Sequence, residues 1–102
     1  MKKLSGKNAF ISGGSRGIGL ACAKALAEQG ANVFLVATNE VLLREATSVI
    51  QQRSAVKVDF HAVDLRTLKG CQQASHTFLE RFGQADILVN SAGATKGGIF
   101  PE

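Results

Sequence analysis

Tyrosine and tryptophan are missing from this 102-residue sequence, proline occurs once and cysteine twice. Each shortage removes a class of protein. Cys22 and Cys71 stand far apart, form no C-x-x-C pair and have no histidine at zinc spacing, so neither a disulfide framework nor a metal knuckle is expected. They read as small hydrophobes within helices. His61 and His76 are equally isolated and read as structural or surface residues. No apolar run approaches the roughly 20 residues of a membrane span. Met1-Lys2-Lys3-Leu4 runs into Ser5-Gly6-Lys7-Asn8 without the apolar core of a secretory leader, so a cytoplasmic setting is expected. The net charge of +4 comes from twelve basic residues scattered from Lys2 to Lys96, with no cluster beyond Lys2-Lys3. A nucleic-acid surface concentrates its charge and often interleaves aromatics. Here the six phenylalanines sit in apolar patterns, so no nucleic-acid partner and no membrane partner is expected.

What is present is 45% hydrophobic sequence, enough for one small core, and a Gly-rich stretch, Ser12-Gly13-Gly14-Ser15-Arg16-Gly17-Ile18-Gly19. It follows the apolar run Ala9-Phe10-Ile11 and opens a helical pattern from Leu20 to Gln29. Glycine lets a strand turn sharply into a helix and lets backbone approach a ligand. Free amides at the helix start, with the positive end of its dipole, suit a phosphate or pyrophosphate. A Walker loop needs Gly-Lys-Ser/Thr after its last glycine, whereas Gly19 is followed by Leu20-Ala21. The glycines alone are also compatible with a plain tight turn.

The surrounding rhythm favours the ligand reading. Strands are predicted over 7–12, 32–37, within 56–63 and over 85–90. Helices are predicted over 17–29, from Thr38 or Asn39 as cap to about Arg53, and over 67–82. Gly30 and Gly83 close the first and third helices. The predicted inward stripes are Ile18, Cys22, Ala25, Leu26 and Gln29 in the first helix and Val41, Leu42, Ala46, Val49 and Ile50 in the second. In the third they are Cys71, Ala74, Ser75, Phe78, Leu79 and Phe82. In the third strand, Val56, Val58 and Phe60 share one face and Lys57 and Asp59 the other. Alternation of this kind implies an α/β fold: a Rossmann-type doubly wound parallel sheet, βαβαβαβ, with strand order 3-2-1-4. Ligands bind at the carboxyl ends of such strands. That rim would carry 12–19, Thr38-Asn39, Asp64-Leu65 and 90–93. The segment 94–102 holds two adjacent glycines and the single proline, and reads as a loop or unfinished segment.

The sequence resembles the short-chain dehydrogenase/reductase family. Its cofactor signature T-G-x-x-x-G-I-G stands here as residues 12–19 with serine first. An Asp after the third strand matches Asp64-Leu65. N-N-A-G after the fourth strand stands as Asn90-Ser91-Ala92-Gly93. The resemblance implies a nicotinamide dinucleotide held by Gly13, Ser15, Arg16, Gly17, Ile18, Gly19, Thr38, Asn39, Asp64, Leu65, Asn90, Ala92 and Gly93. In it, Asp64 accepts from the adenine amino group, the Leu65 amide meets a ring nitrogen, and Asn90 and Gly93 hold the adenosine ribose and floor. Taken alone, Asp64 also reads as a strand-end turn or cap residue. Ser91 reads as a turn hydroxyl, since no histidine is placed to activate it.

Thr38 and Asn39 repel no phosphate, and Arg16 offers a cation, so NADP(H) is expected over NAD(H). The alternative for Arg16 is a solvated side chain, and the arginine common after the second strand is missing. The family's Tyr-x-x-x-Lys pair cannot be formed without tyrosine, and no catalytic residue is assigned. The expectation is a cofactor-binding N-terminal part of a short-chain oxidoreductase, a single truncated NAD(P)-binding domain over 1–102. A missing C-terminal half or a partner chain would complete it, and the chain alone would be inactive. The alternatives are a catalytically dead nucleotide-binding or subunit-pairing module, or a non-functional fragment.

Overall fold

A computed structural model of the chain describes residues 2–15 and 17–91. The site residues Arg16, Ala92 and Gly93 and the segment 94–102 lie outside the described residues. The elements run β1 (Asn8–Ser12), α1 (Gly17–Glu28), β2 (Asn32–Ala37), α2 (Glu40–Arg53), β3 (Val58–Ala62), α3 (Leu68–Phe82) and β4 (Ile87–Asn90). The sheet has the order β3-β2-β1-β4, with every pairing parallel. Among the described residues no helix is long and apolar enough to cross a membrane.

Strand periodicity sorts the core into two layers. Ala9, Ile11, Val33 and Leu35 face Ala23 and Ala27 of α1 and Leu43, Ala46 and Ile50 of α2. Phe34 and Val36 face Ala74 and Phe78 of α3 on the other side, with Phe10 packed against them. The faces follow from the handedness of parallel crossovers. The chain steps β1 to β2 to β3 in one direction, then crosses back to β4 beyond β1, so α3 must lie opposite α1 and α2. Phe10, Phe34 and Phe78 form a ring cluster with centroids 5.3–5.7 Å apart. Asp59, on the α3 side of β3, pairs with Arg81. Val58 and Phe60 pack on the other layer, so the predicted two-faced β3 is observed.

Local chemistry sets the ends. After α1, the Gly30 amide donates to Ala27 O (2.9 Å) and the Ala31 amide to Leu26 O (3.1 Å), with Gly30 at φ +98°. This is a Schellman closure, which the left-handed glycine permits. Asn39 Oδ1 caps α2 by accepting from the Leu42 amide at 3.0 Å. Thr67 Oγ1 caps α3 by accepting from the Gly70 amide at 2.9 Å. At the opposite edge of the sheet, the side chain of Asn8 donates to Phe82 O and Gln84 O, each at 3.0 Å, and accepts from Asn32 Nδ2. Asn32 in turn accepts from the Lys57 amide. This ladder satisfies buried polar groups where the loop from α3 enters β4.

The helix faces differ from expectation in phase. In α1 the buried residues are Gly19, Ala23 and Ala27. Ile18 is 73% exposed, Ala25 and Gln29 are exposed, and Cys22 is half-buried; Leu26 alone keeps its expected place. The helix approaches the sheet closely, so the smallest residues occupy the contact. In α2 the buried set is Leu43, Ala46, Thr47 and Ile50, while Val41 and Val49 face solvent and Leu42 is half-buried. In α3, Ala74 and Phe78 are buried and Cys71 and Phe82 half-buried, but Ser75 and Leu79 are exposed and Gly70 takes a buried place. Both cysteines are half-buried.

Candidate functional site

The carboxyl ends of β1, β2, β3 and β4 lie along one rim of the sheet, a consequence of every strand running the same way. At its centre β1 ends in Ser12, and Gly13 turns the chain at φ +73° while its amide still donates to Val36 O at 2.7 Å. Gly14 is wedged: a Cβ there would lie 2.9 Å from Leu35 Cδ2. Gly17 opens α1 at φ +61°. Gly19 packs the first turn of α1 directly on the end of β1. A Cβ on it would lie 2.1 Å from Gly13 O and 2.6 Å from Ser91 Oγ. The first amides of α1 have no partner within the helix, and its first turn carries no acid. Gly17 and Ile18 are exposed. An exposed helix start without an acid in its first turn has the polarity that favours a nearby negative charge.

Ser12 and Ser91 knit the central loops together. The Ser12 hydroxyl donates to Asn90 Oδ1 at 3.0 Å. The Ser91 hydroxyl donates to Ser12 O at 2.8 Å and lies 3.3 Å from Gly13 O. The turn role expected for Ser91 is observed, and the turn it holds is the glycine loop itself. Ser12 is buried although polar, because its partners are supplied across strands.

Beside this centre, Thr38 and Asn39 are exposed at the end of β2. The Asn39 carbonyl oxygen is used as the α2 cap, which leaves its NH2 group to donate outward. Glu40, the nearest acid, is paired with Arg44 at 2.6 Å. On the other flank of β2, Asp64 follows β3. Asp64 Oδ1 accepts from the Arg66 amide (2.9 Å) and Nε (3.1 Å), and Oδ2 accepts from an Arg66 NH2 group (3.2 Å). The Arg66 side chain, then its amide, holds this carboxyl below its ordinary pKa. The turn reading of Asp64 is therefore observed, with one side of the carboxylate still open.

Two residues escaped sequence reasoning. Gly70 lets the first turn of α3 sit on the Asp64 loop, since a Cβ there would lie 1.9 Å from Asp64 O. Its glycine inside a helical pattern was the available signal. Arg66 carried no signal beyond proximity to Asp64. On the α3 side of the rim, Phe10, Ser12, Leu65, Cys71, Leu88 and Asn90 line an open cleft of about 230 Å³. The Cys71 thiol donates to Leu65 O at 3.1 Å. Of the expected site residues, Gly13, Ser15, Gly17, Ile18, Gly19, Thr38, Asn39, Asp64 and Leu65 fall on strand-end loops or a helix start of this rim, and Asn90 is the last residue of β4. His61 lies inside β3, and His76 Nε2 lies 3.3 Å from Glu80 Oε2 on the surface of α3. No group of three or more His, Cys, Asp or Glu suited to a metal occurs among the described residues.

Residues 7–102 match the short chain dehydrogenase family. The 3-oxoacyl-[acyl-carrier-protein] reductase of Chlamydia muridarum is 36% identical over 97 residues, 95% of this chain and 39% of its own. The crystal structure of L-sorbose reductase from Gluconobacter frateurii, complexed with NADPH and L-sorbose, is similar at TM-score 0.85 and 43% identity. It aligns with 88% of this chain and 34% of its own. NAD+-bound xylitol dehydrogenase is similar at TM-score 0.82 and 28% identity, over 85% of this chain and 33% of its own. The chain therefore spans between a third and two-fifths of the length of these relatives.

Proposed function

Because the chain belongs to the short chain dehydrogenase family, we propose that it is the cofactor-binding part of an oxidoreductase passing hydride between NADP(H) and a carbonyl or alcohol. One observation carries the reading: the first turn of α1 presses against the end of β1 at Gly19, where a side chain would strike Gly13 O. That contact aims unpaired amides at the rim, and a diphosphate is the anion such a helix start suits. The residues present fit the dinucleotide. Glycines leave backbone accessible, Thr38 and Asn39 can donate, Asp64 can accept, and Glu40 is paired with Arg44 rather than presented to a phosphate.

When bound, the dinucleotide supplies the hydride-carrying carbon, and the protein supplies orientation. In this proposal the amides of Gly17, Ile18 and Gly19 hold the diphosphate. Gly13 and Ser15 shape its cradle, and Arg16 adds a cation. Asp64 and the Leu65 amide hold the adenine. Asn90, itself tied to β1 through Ser12, forms the ribose side in this proposal together with Ala92 and Gly93. Ile18, exposed at the helix start, covers the ligand with apolar surface. The choice of NADP(H) over NAD(H) rests on Thr38, Asn39 and the paired Glu40, since no free acid stands at the end of β2 to repel a 2′-phosphate.

The proton donor that the family resemblance implies is a tyrosine, and the sequence holds none. The same fact favours a second reading, a nucleotide-binding or subunit-pairing module without turnover. Titration of the chain with NADPH and NADH, followed by nicotinamide fluorescence, tests the binding. Tighter NADPH binding is expected. Tighter NADH binding overturns the cofactor choice, and binding of neither overturns the assignment. Carbonyl reduction by the chain alone is expected to be absent, and its presence would refute the need for a further part.

A further inference from the structure

We infer that Arg66 is a positioning residue that turns Asp64 into a reader of a single N–H donor, and so sets the preference for adenine over a 6-oxopurine. The inference rests on the proposed placement of the adenine at Asp64 and deepens it. An ionised carboxylate offers about four acceptor positions. Arg66 occupies three: its amide and Nε on Oδ1, at 2.9 and 3.1 Å, and an NH2 group on Oδ2, at 3.2 Å. One position on Oδ2 is left.

The clasp is built on a fixed base. The Asp64 carbonyl accepts from Thr67 Oγ1 at 3.1 Å, and Gly70 sits against the same carbonyl. The backbone of Asp64 is thus fixed by the start of α3, and the planar guanidinium fixes the plane of its carboxylate. A lysine could offer charge but not this geometry. Adenine brings an amino N–H to the open position. Hypoxanthine brings a carbonyl oxygen, which the carboxylate repels and which leaves the acceptor unmet. Held in place, the carboxylate reads that difference. Freed to rotate, it would swing to water and read it poorly. Arg66 is itself mostly exposed, so its removal leaves the core untouched.

The test is a titration of the full chain and of Arg66→Ala and Arg66→Lys with two probes, NADPH and reduced nicotinamide hypoxanthine dinucleotide phosphate. The native chain is expected to favour NADPH by about tenfold, the scale of one charge-assisted hydrogen bond at a partly exposed site. Arg66→Ala is expected to lose about threefold of that ratio, with hypoxanthine-probe affinity unchanged. Arg66→Lys is expected to recover less than half of the loss. An unchanged ratio in Arg66→Ala overturns the inference alone. Equal weakening for both probes also overturns it and makes Arg66 a general cation. Absence of discrimination, or of binding, in the native chain overturns the placement of adenine at Asp64, and the inference with it.

Discussion

Gly19 and Gly17 occupy the same helix turn, yet the physics of their substitution differs. At Gly19 the backbone is helical and the obstacle is Gly13 O, 2.1 Å from an added Cβ. Gly19→Ala must push α1 away from β1, at a cost of about 2–3 kcal/mol. It is expected to weaken NADPH binding at least tenfold, because the amides move with the helix. At Gly17 there is open space, and only the left-handed φ of +61° resists a side chain. Gly17→Ala is expected to cost about 1 kcal/mol. Denaturant midpoints and nicotinamide fluorescence distinguish the two. Asp86 provides a pH handle at the opposite edge. The Asn8 amide, then the Gln84 side chain, holds its carboxyl below the ordinary carboxylate range. A depressed folded pKa contributes stability that is complete above the unfolded value of about 3.9 and is lost as pH falls through the folded one. Asp86→Asn is therefore expected to flatten the acid limb of the denaturation midpoint as pH falls below about 4, and an unchanged limb would assign it to Asp64, whose shift has the same sign.

At the scale of elements, α3 is the one helix on its face of the sheet among the described residues. It holds there through Ala74 and Phe78, with Phe82 stacked on Phe78 at 5.1 Å. Phe78→Ala leaves a cavity among three rings and is expected to cost about 3–5 kcal/mol, read as a lowered thermal midpoint. Since α3 also fixes the Asp64 loop through Thr67 and Gly70, the same variant is expected to weaken NADPH binding. Element type and order were legible in the sequence because period and capping are local. Asn39 and Thr67 announce helix starts, and Gly30 and Gly83 announce ends. The facing of each helix was not legible. Ile18, Val41 and Leu79 looked like core because they are large and apolar; in α1 a close helix–sheet contact selects Gly19, Ala23 and Ala27 instead, and in α2 and α3 the phase of the helix buries Leu43 and Ile50, and Phe78, in place of Val41 and Leu79.

At the scale of the whole molecule, parallel strands bring four carboxyl ends to one rim, and that convergence gives the glycine motif its meaning. Among the described residues β4 stands at the end of the sheet, with Leu88 72% exposed on the α3 side. An apolar strand edge of this kind promotes association. Leu88→Lys is expected to lower concentration-dependent aggregation, followed by light scattering, with the thermal midpoint changed by no more than a few degrees. A large loss of stability would show instead that Leu88 is already packed.

The order of elements, the sheet they build and the rim on which the motifs fall were determined by the sequence itself, because hydrophobic period, glycine turns and crossover handedness act over short stretches of chain. Tertiary structure decided what each rim residue touches. It spent the Asn39 carbonyl on a helix cap and tied Ser12 to Asn90 across strands. It also closed Arg66 on Asp64 and chose alanine over isoleucine for the face of α1. Those outcomes depend on distances between segments far apart in sequence, which local pattern does not encode.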